Sequence, residues 1–119
     1  MNTKQVADKL VSLCRDGKNM DAIDELYAED CWSKEMKGAP HELIKGKSNI
    51  IEKSKQWYES LDQMHDVSIS EPIVAGNHFS CTMELDCTFK DRGRTKMEEV
   101  CVYEVKNGKI TGEQFFYQM

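Results

Sequence analysis

In the run HFSCTMELDCTF, His78 to Phe89, every second residue is apolar. Phe79, Cys81, Met83, Leu85, Cys87 and Phe89 alternate with His78, Ser80, Thr82, Glu84, Asp86 and Thr88. Neighbouring side chains of a strand point to opposite faces, so this period predicts one long strand with an apolar face and a wet face. Val67, Ile69 and Ile73 predict a strand before it, interrupted by Pro72. Ala75-Gly76-Asn77 and Asp91 to Arg94 (DRGR) carry the residues of turns on either side. EEVCVYEV continues as a strand, Asn107-Gly108 is a two-residue hairpin signal, and KITGEQFFYQ closes the chain as a last strand.

The first half has a different period. Val6, Ala7, Leu10, Val11 and Cys14 recur at helical spacing from Thr3 to Arg15, and Gly17 supplies a stop. Asn19 is placed to cap a second, shorter helix with Ile23, Leu26 and Tyr27 on its inward face. A third helix is predicted from Ser48, as its cap, to Leu61, with Ile50, Ile51, Ser54, Trp57, Tyr58 and Leu61 in one stripe. Between Cys31 and Lys47 a short extended piece gives way to a loop with Gly38, Pro40 and Gly46. Helices first and an antiparallel meander afterwards is the α+β pattern, with a bent sheet burying its apolar face against the helices.

A chain of 119 residues with 39% hydrophobic content fits one domain, residues 1–119, around a single core. A net charge of −5 with scattered lysines argues against a nucleic-acid partner. No apolar run reaches the length of a membrane span, and the first residues lack the apolar core of a secretion signal, so a cytoplasmic protein without membrane partners is expected. The five cysteines are odd in number and lack C-x-x-C spacing, which predicts reduced, packing-type thiols. Cys81 and Cys87, six residues apart on one strand, lie too far apart to bridge each other. No convergence of suitable side chains predicts a metal site, and no cofactor is expected: Glu98 and Glu99 face opposite ways, and Glu84 and Asp86 share the polar face.

The order of the first helix, NMDAIDELYAEDCWSKEM, KGKSNIIEKSKQWYESL and three strands ending in YEVKNGKITGEQFFYQ resembles the NTF2-like superfamily. The likeness is to its small SnoaL-like (polyketide-cyclase-like) bacterial members and covers nearly the whole length. It implies a cone, in which three N-terminal helices pack on a strongly curved, mainly antiparallel sheet around an apolar pocket. It also implies a homodimer joined through the outer sheet face. This fold hosts unrelated chemistries and plain binding, so function has to come from particular residues.

The resemblance places Glu35 where related ketosteroid isomerases carry a carboxylate base. An apolar pocket disfavours a charged carboxylate and suits it to proton transfer. Burial energy argues the other way, because Glu35 shares a face with Cys31 and Ser33 while Trp32 and Met36 share the opposite one. Burying Trp32 stabilises more than burying a cysteine and a serine, which predicts Trp32 as the better-buried residue. The isomerases' hydrogen-bond donors fall at Val11 and at Cys101 or Val102, which cannot stabilise an enolate, so ketosteroid isomerisation is not expected. His41, in the loop near the expected mouth, is a second acid/base candidate. The expected pocket lining is Trp32, Trp57, Tyr58, Met83, Tyr103, Phe115 and Tyr117, with Tyr103 or Tyr117 as hydroxyl donor. Two functions follow as expectations. One is binding of a small apolar or aromatic metabolite, with cofactor-independent isomerisation, cyclisation or dehydration; the other is a non-enzymatic dimeric association module.

Overall fold

The computed structural model describes residues 1–119. Helix α1 spans Thr3–Arg15 and buries Val6, Ala7, Leu10, Val11 and Cys14. Asn2 accepts from the Gln5 amide while the Gln5 side chain accepts from the Asn2 amide, a reciprocal cap that satisfies two free donors. Helix α2 spans Asn19–Leu26. Asn19 is its first residue rather than its cap: the Lys18 amide turns back onto the Leu13 carbonyl at 2.8 Å, and α2 starts at once without a side-chain cap. Helix α3 spans Lys47–Glu59, two residues earlier than Ser48 as a cap would require, because Gly46 makes the entry turn at a φ of 94°. Of its expected stripe only Ile50 is fully buried, and Leu61 has left the helix for the next strand.

The strands are β1 (Tyr27–Lys34), β2 (Leu43–Lys45), β3 (Leu61–Ile69), β4 (Ile73–Ala75), β5 (His78–Phe89), β6 (Gly93–Lys106) and β7 (Lys109–Phe116). They form one sheet in the order β2-β1-β7-β6-β5-β3, with β4 also paired to β5. β1 runs parallel to β7, and every other pair is antiparallel. β2 falls in the expected loop, since three residues with an exposed Leu43 carry no alternation to read. Asn107 and Gly108, both with positive φ, close the β6–β7 hairpin as a two-residue turn.

The inner face of β5 and β6 packs Phe79, Cys81, Met83, Cys101, Tyr103 and Val105 against the helices. Phe79 stacks on Tyr103 with centroids 4.7 Å apart. In β7 the pairing with β6 slips between Glu104 and Val105, so Thr111 is an extra residue. Ile110 and Glu113, an odd number apart, therefore both face inward and are both buried. That slip brings a carboxylate into the interior.

Candidate functional site

The site begins with the direction of residues 31 to 36. Cys31 and Ser33 are both fully buried, and Glu35 continues on their side. Trp32 is only half-buried on the opposite side, so the burial argument fails there. Its physical reason is Gly112, the residue paired with Trp32 across the parallel β1–β7 ladder. A Cβ at Gly112 would lie 2.1 Å from the indole, so the ring covers bare backbone and gains contact without entering the core.

Inward of that strand lies a continuous chain of polar side chains. Tyr27 donates its hydroxyl to Glu113 Oε1, and Ser33 donates to Glu113 Oε2 at 2.7 Å. Having given its hydrogen to Glu113, Ser33 Oγ accepts from Lys53 Nζ at 3.2 Å. Lys53 also pairs with Glu35 Oε1 at 3.0 Å, and Tyr117 donates to Glu35 Oε2 at 3.0 Å. Lys53 reaches this point from α3, one turn after the buried Ile50, and its ammonium lies 5.7 Å from the centre of the Phe115 ring. Lys53 and Glu35 are both sheltered, at 18% and 17% side-chain exposure, so their pair is screened far less than a surface one.

Burial raises the Glu113 carboxyl above its ordinary value, against the donors Ser33 and Tyr27 and the charge of Lys53, which pull it down. Tyr27, fully enclosed beside that carboxylate, is pushed well above an ordinary phenol. A third carboxylate, Glu99, stands on the inner face of β6 opposite Met83 and accepts from the Cys101 thiol at 3.6 Å. Burial, then the negative charge of Glu35, lifts Glu99 to about 7. Tyr117 is raised to about 12, first by burial and then by its bond to Glu35. A hollow of about 280 Å³ lies on the outer face of the same strands, bordered by Thr82, Glu84, Glu98, Val100, Phe116 and Gln118, and so is separate from the inner cluster.

Of the residues expected from sequence, Glu35, Phe115 and Tyr117 meet in this cluster, and Met83 lies across from Glu99. Trp57 is one turn beyond Lys53, edge-on to Tyr58 and Phe89, with Tyr58 37% exposed. Tyr103 is part of the packed core, and Trp32 is on the other face. His41 is exposed, with a φ of 57°, in the segment before β2. Sequence reasoning missed Ser33, Lys53, Glu99 and Glu113. The parity of Cys101 and Tyr103 extends back to Glu99, and that of Phe115 and Tyr117 extends back to Glu113; both signals were present in the alternation.

Three helices on a mostly antiparallel sheet with acid, base and hydroxyl groups on its inner face define an NTF2-like α+β protein. The chain belongs to the SnoaL-like domain family, whose sequence profile matches residues 1–117. It is 36% identical to a SnoaL-like protein of Mesorhizobium loti, over 98% of this chain and 100% of that one, with a TM-score of 0.93. An NTF2-like protein of Burkholderia thailandensis shares 17% identity over 99% of this chain and 92% of its own, with a TM-score of 0.84. A protein of Catenulispora acidiphila with a ketosteroid isomerase-like fold, solved in complex with trimethylamine, is also 17% identical. It covers 99% and 88% of the two chains with a TM-score of 0.76. No curated protein matches the sequence. No helix is long and apolar enough to cross a membrane.

Proposed function

We propose that this chain binds a small, largely apolar carbonyl compound against the inner face of the sheet and moves a proton on it without a cofactor. The observation that carries this reading is the grouping of Glu99 with the Glu35–Lys53–Tyr117 cluster in one sheltered place. A general base works best when its pKa lies near the working pH, and about 7 is where Glu99 stands. Glu35 has both oxygens engaged, by Lys53 and by Tyr117, and so holds an ammonium and a phenol in fixed positions. In the proposed step, Glu99 takes a proton from the carbon beside the carbonyl. The electron pair passes to the carbonyl oxygen, and the Lys53 ammonium, with two of its three hydrogens given to Ser33 and Glu35, stabilises the enolate with the third. Return of the proton to the same or another carbon completes an exchange or an isomerisation.

Carbon-bound hydrogen exchange tests this without knowledge of the natural product. The protein is expected to speed incorporation of deuterium from heavy water into 2-tetralone, read by proton NMR, with a rate that rises as pH passes through about 7. Glu99→Gln is expected to remove the acceleration, a loss of about 10²–10⁴-fold for a general base, while melting cooperatively. Glu35→Gln is expected to slow exchange by loosening Lys53. Exchange at the uncatalysed rate in the wild type contradicts the reading.

A second reading rests on a different surface. Ile73, Val100 and Phe116 are exposed apolar side chains on the outer face of the sheet, which favours homodimer formation there. Sedimentation is expected to give a dimer that Phe116→Glu converts to a monomer; a monomeric wild type contradicts this.

A further inference from the structure

Cys81 and Cys101 stand directly opposite each other on the antiparallel strands β5 and β6. Both belong to the inner face, at 3% and 0% exposure. Directly opposed residues of an antiparallel pair have Cα atoms about 4.5 or 5.5 Å apart, according to the hydrogen-bonding of the pair. Both separations lie within the roughly 4.4–6.8 Å that a disulfide spans, so the register puts the two sulfurs within reach of a bridge. All five cysteines are free thiols. Neither the core packing nor the proton transfer proposed above requires two sulfurs facing each other at this point.

We propose that Cys81 and Cys101 form an oxidisable thiol pair whose closure to a disulfide takes away the thiol donor that Glu99 now has. The inference goes beyond the proposed reaction and holds whether or not that reaction occurs. The oxidant is of the peroxide class. A Cys81 thiolate attacks one peroxide oxygen, the O–O bond breaks, and water leaves as Cys81 becomes a sulfenic acid. The Cys101 sulfur then attacks Cys81, the S–O bond breaks, and a second water leaves. Two thiols and one hydrogen peroxide thus give one disulfide and two waters.

Burial and the charge of Glu99 disfavour a thiolate at this pair, while Arg15 of α1 adds a positive charge that favours one at Cys81. Cys14 of α1 is the remaining thiol near Cys81, and burial lifts it to about 12, which keeps it out of the reaction.

The consequence falls on Glu99. The groups facing it are Glu35 at the end of β1, Glu113 of β7, Lys53 of α3, Tyr117 beyond β7 and Cys101 on its own strand. The thiol bond and Lys53 pull Glu99 down, while burial, Glu35 and Glu113 push it up. A disulfide at Cys101 has no hydrogen to donate, so Glu99 rises further and binds its proton more tightly.

The test treats the intact protein with hydrogen peroxide for hours, unfolds it, labels free thiols with N-ethylmaleimide and counts labels by mass. Two of the five thiols are expected to disappear and to return with dithiothreitol. Cys87→Ser is expected to show the same reversible loss, whereas Cys81→Ser and Cys101→Ser are each expected to show none. Full labelling of the wild type, loss that dithiothreitol does not reverse, or reversible loss persisting in Cys81→Ser would each overturn the pair. In the disulfide form the carbon-13 carboxyl titration of Glu99 is expected to move to higher pH; an unmoved midpoint overturns the link to Glu99. Neither readout uses turnover, so failure here is distinct from failure of the proposed reaction.

Discussion

Trp32 and Gly112 show at the scale of single residues how a small position can decide a large one. The indole lies over Gly112, where an added methyl would sit 2.1 Å from a ring carbon. Gly112→Ala is expected to destabilise the protein by about 1–3 kcal/mol, the usual range for overpacking, and to shift the Trp32 fluorescence. Urea unfolding of the variant checks this; wild-type stability would mean that the ring moves aside freely. The same pair explains which site residues could be read in advance. Glu35 was reached through its place in the family pattern, and Phe115 and Tyr117 through aromatic character. Glu99, Glu113 and Lys53 are charged residues in segments otherwise read for their apolar positions. Recognising them needed the parity of the neighbouring residues to be followed onto polar ones. Their burial depends on satisfied hydrogen bonds that form only when β1, α3 and β7 come together.

At the scale of elements, periodicity was a good guide and boundaries were a poor one. α1 and β5 have the limits that their patterns predicted, because thirteen and twelve residues of regular spacing leave little ambiguity. The caps were harder to read. Asn19 and Ser48 have the chemistry of caps, yet Lys18 and Gly46 hold those positions because the preceding turns fix where each helix can begin. Asn2, which had no pattern before it, is the residue that caps α1. Asn2→Ala is expected to cost about 1 kcal/mol, the typical value of a lost N-cap, measured by thermal or urea unfolding. An unchanged midpoint would show that water or a neighbouring amide replaces the cap. β2 was invisible for another reason: its order comes from main-chain pairing with β1, and its side chains carry little of the burial.

Considered as a whole molecule, the protein holds three inner carboxylates, Glu35, Glu99 and Glu113, around one ammonium, Lys53. The fold raises two of them, Glu99 and Glu113, so it binds their protons more tightly than the unfolded chain does. The sign follows from linkage: where the folded state holds more protons, stability falls as pH rises. For Glu99 the stability is full below the ordinary value of 4.5, declines as pH climbs towards about 7, and levels off above. Glu113 contributes in the same direction. That decline is the energetic cost of keeping a proton-transfer group poised near neutrality inside a packed fold. The direct measurement is the titration of the Glu99 carboxyl by carbon-13 NMR in the intact, reduced protein, assigned by its disappearance in Glu99→Gln. A midpoint near 7 is predicted; a midpoint at 4.5 or below would contradict the assignment of Glu99 as the proton carrier.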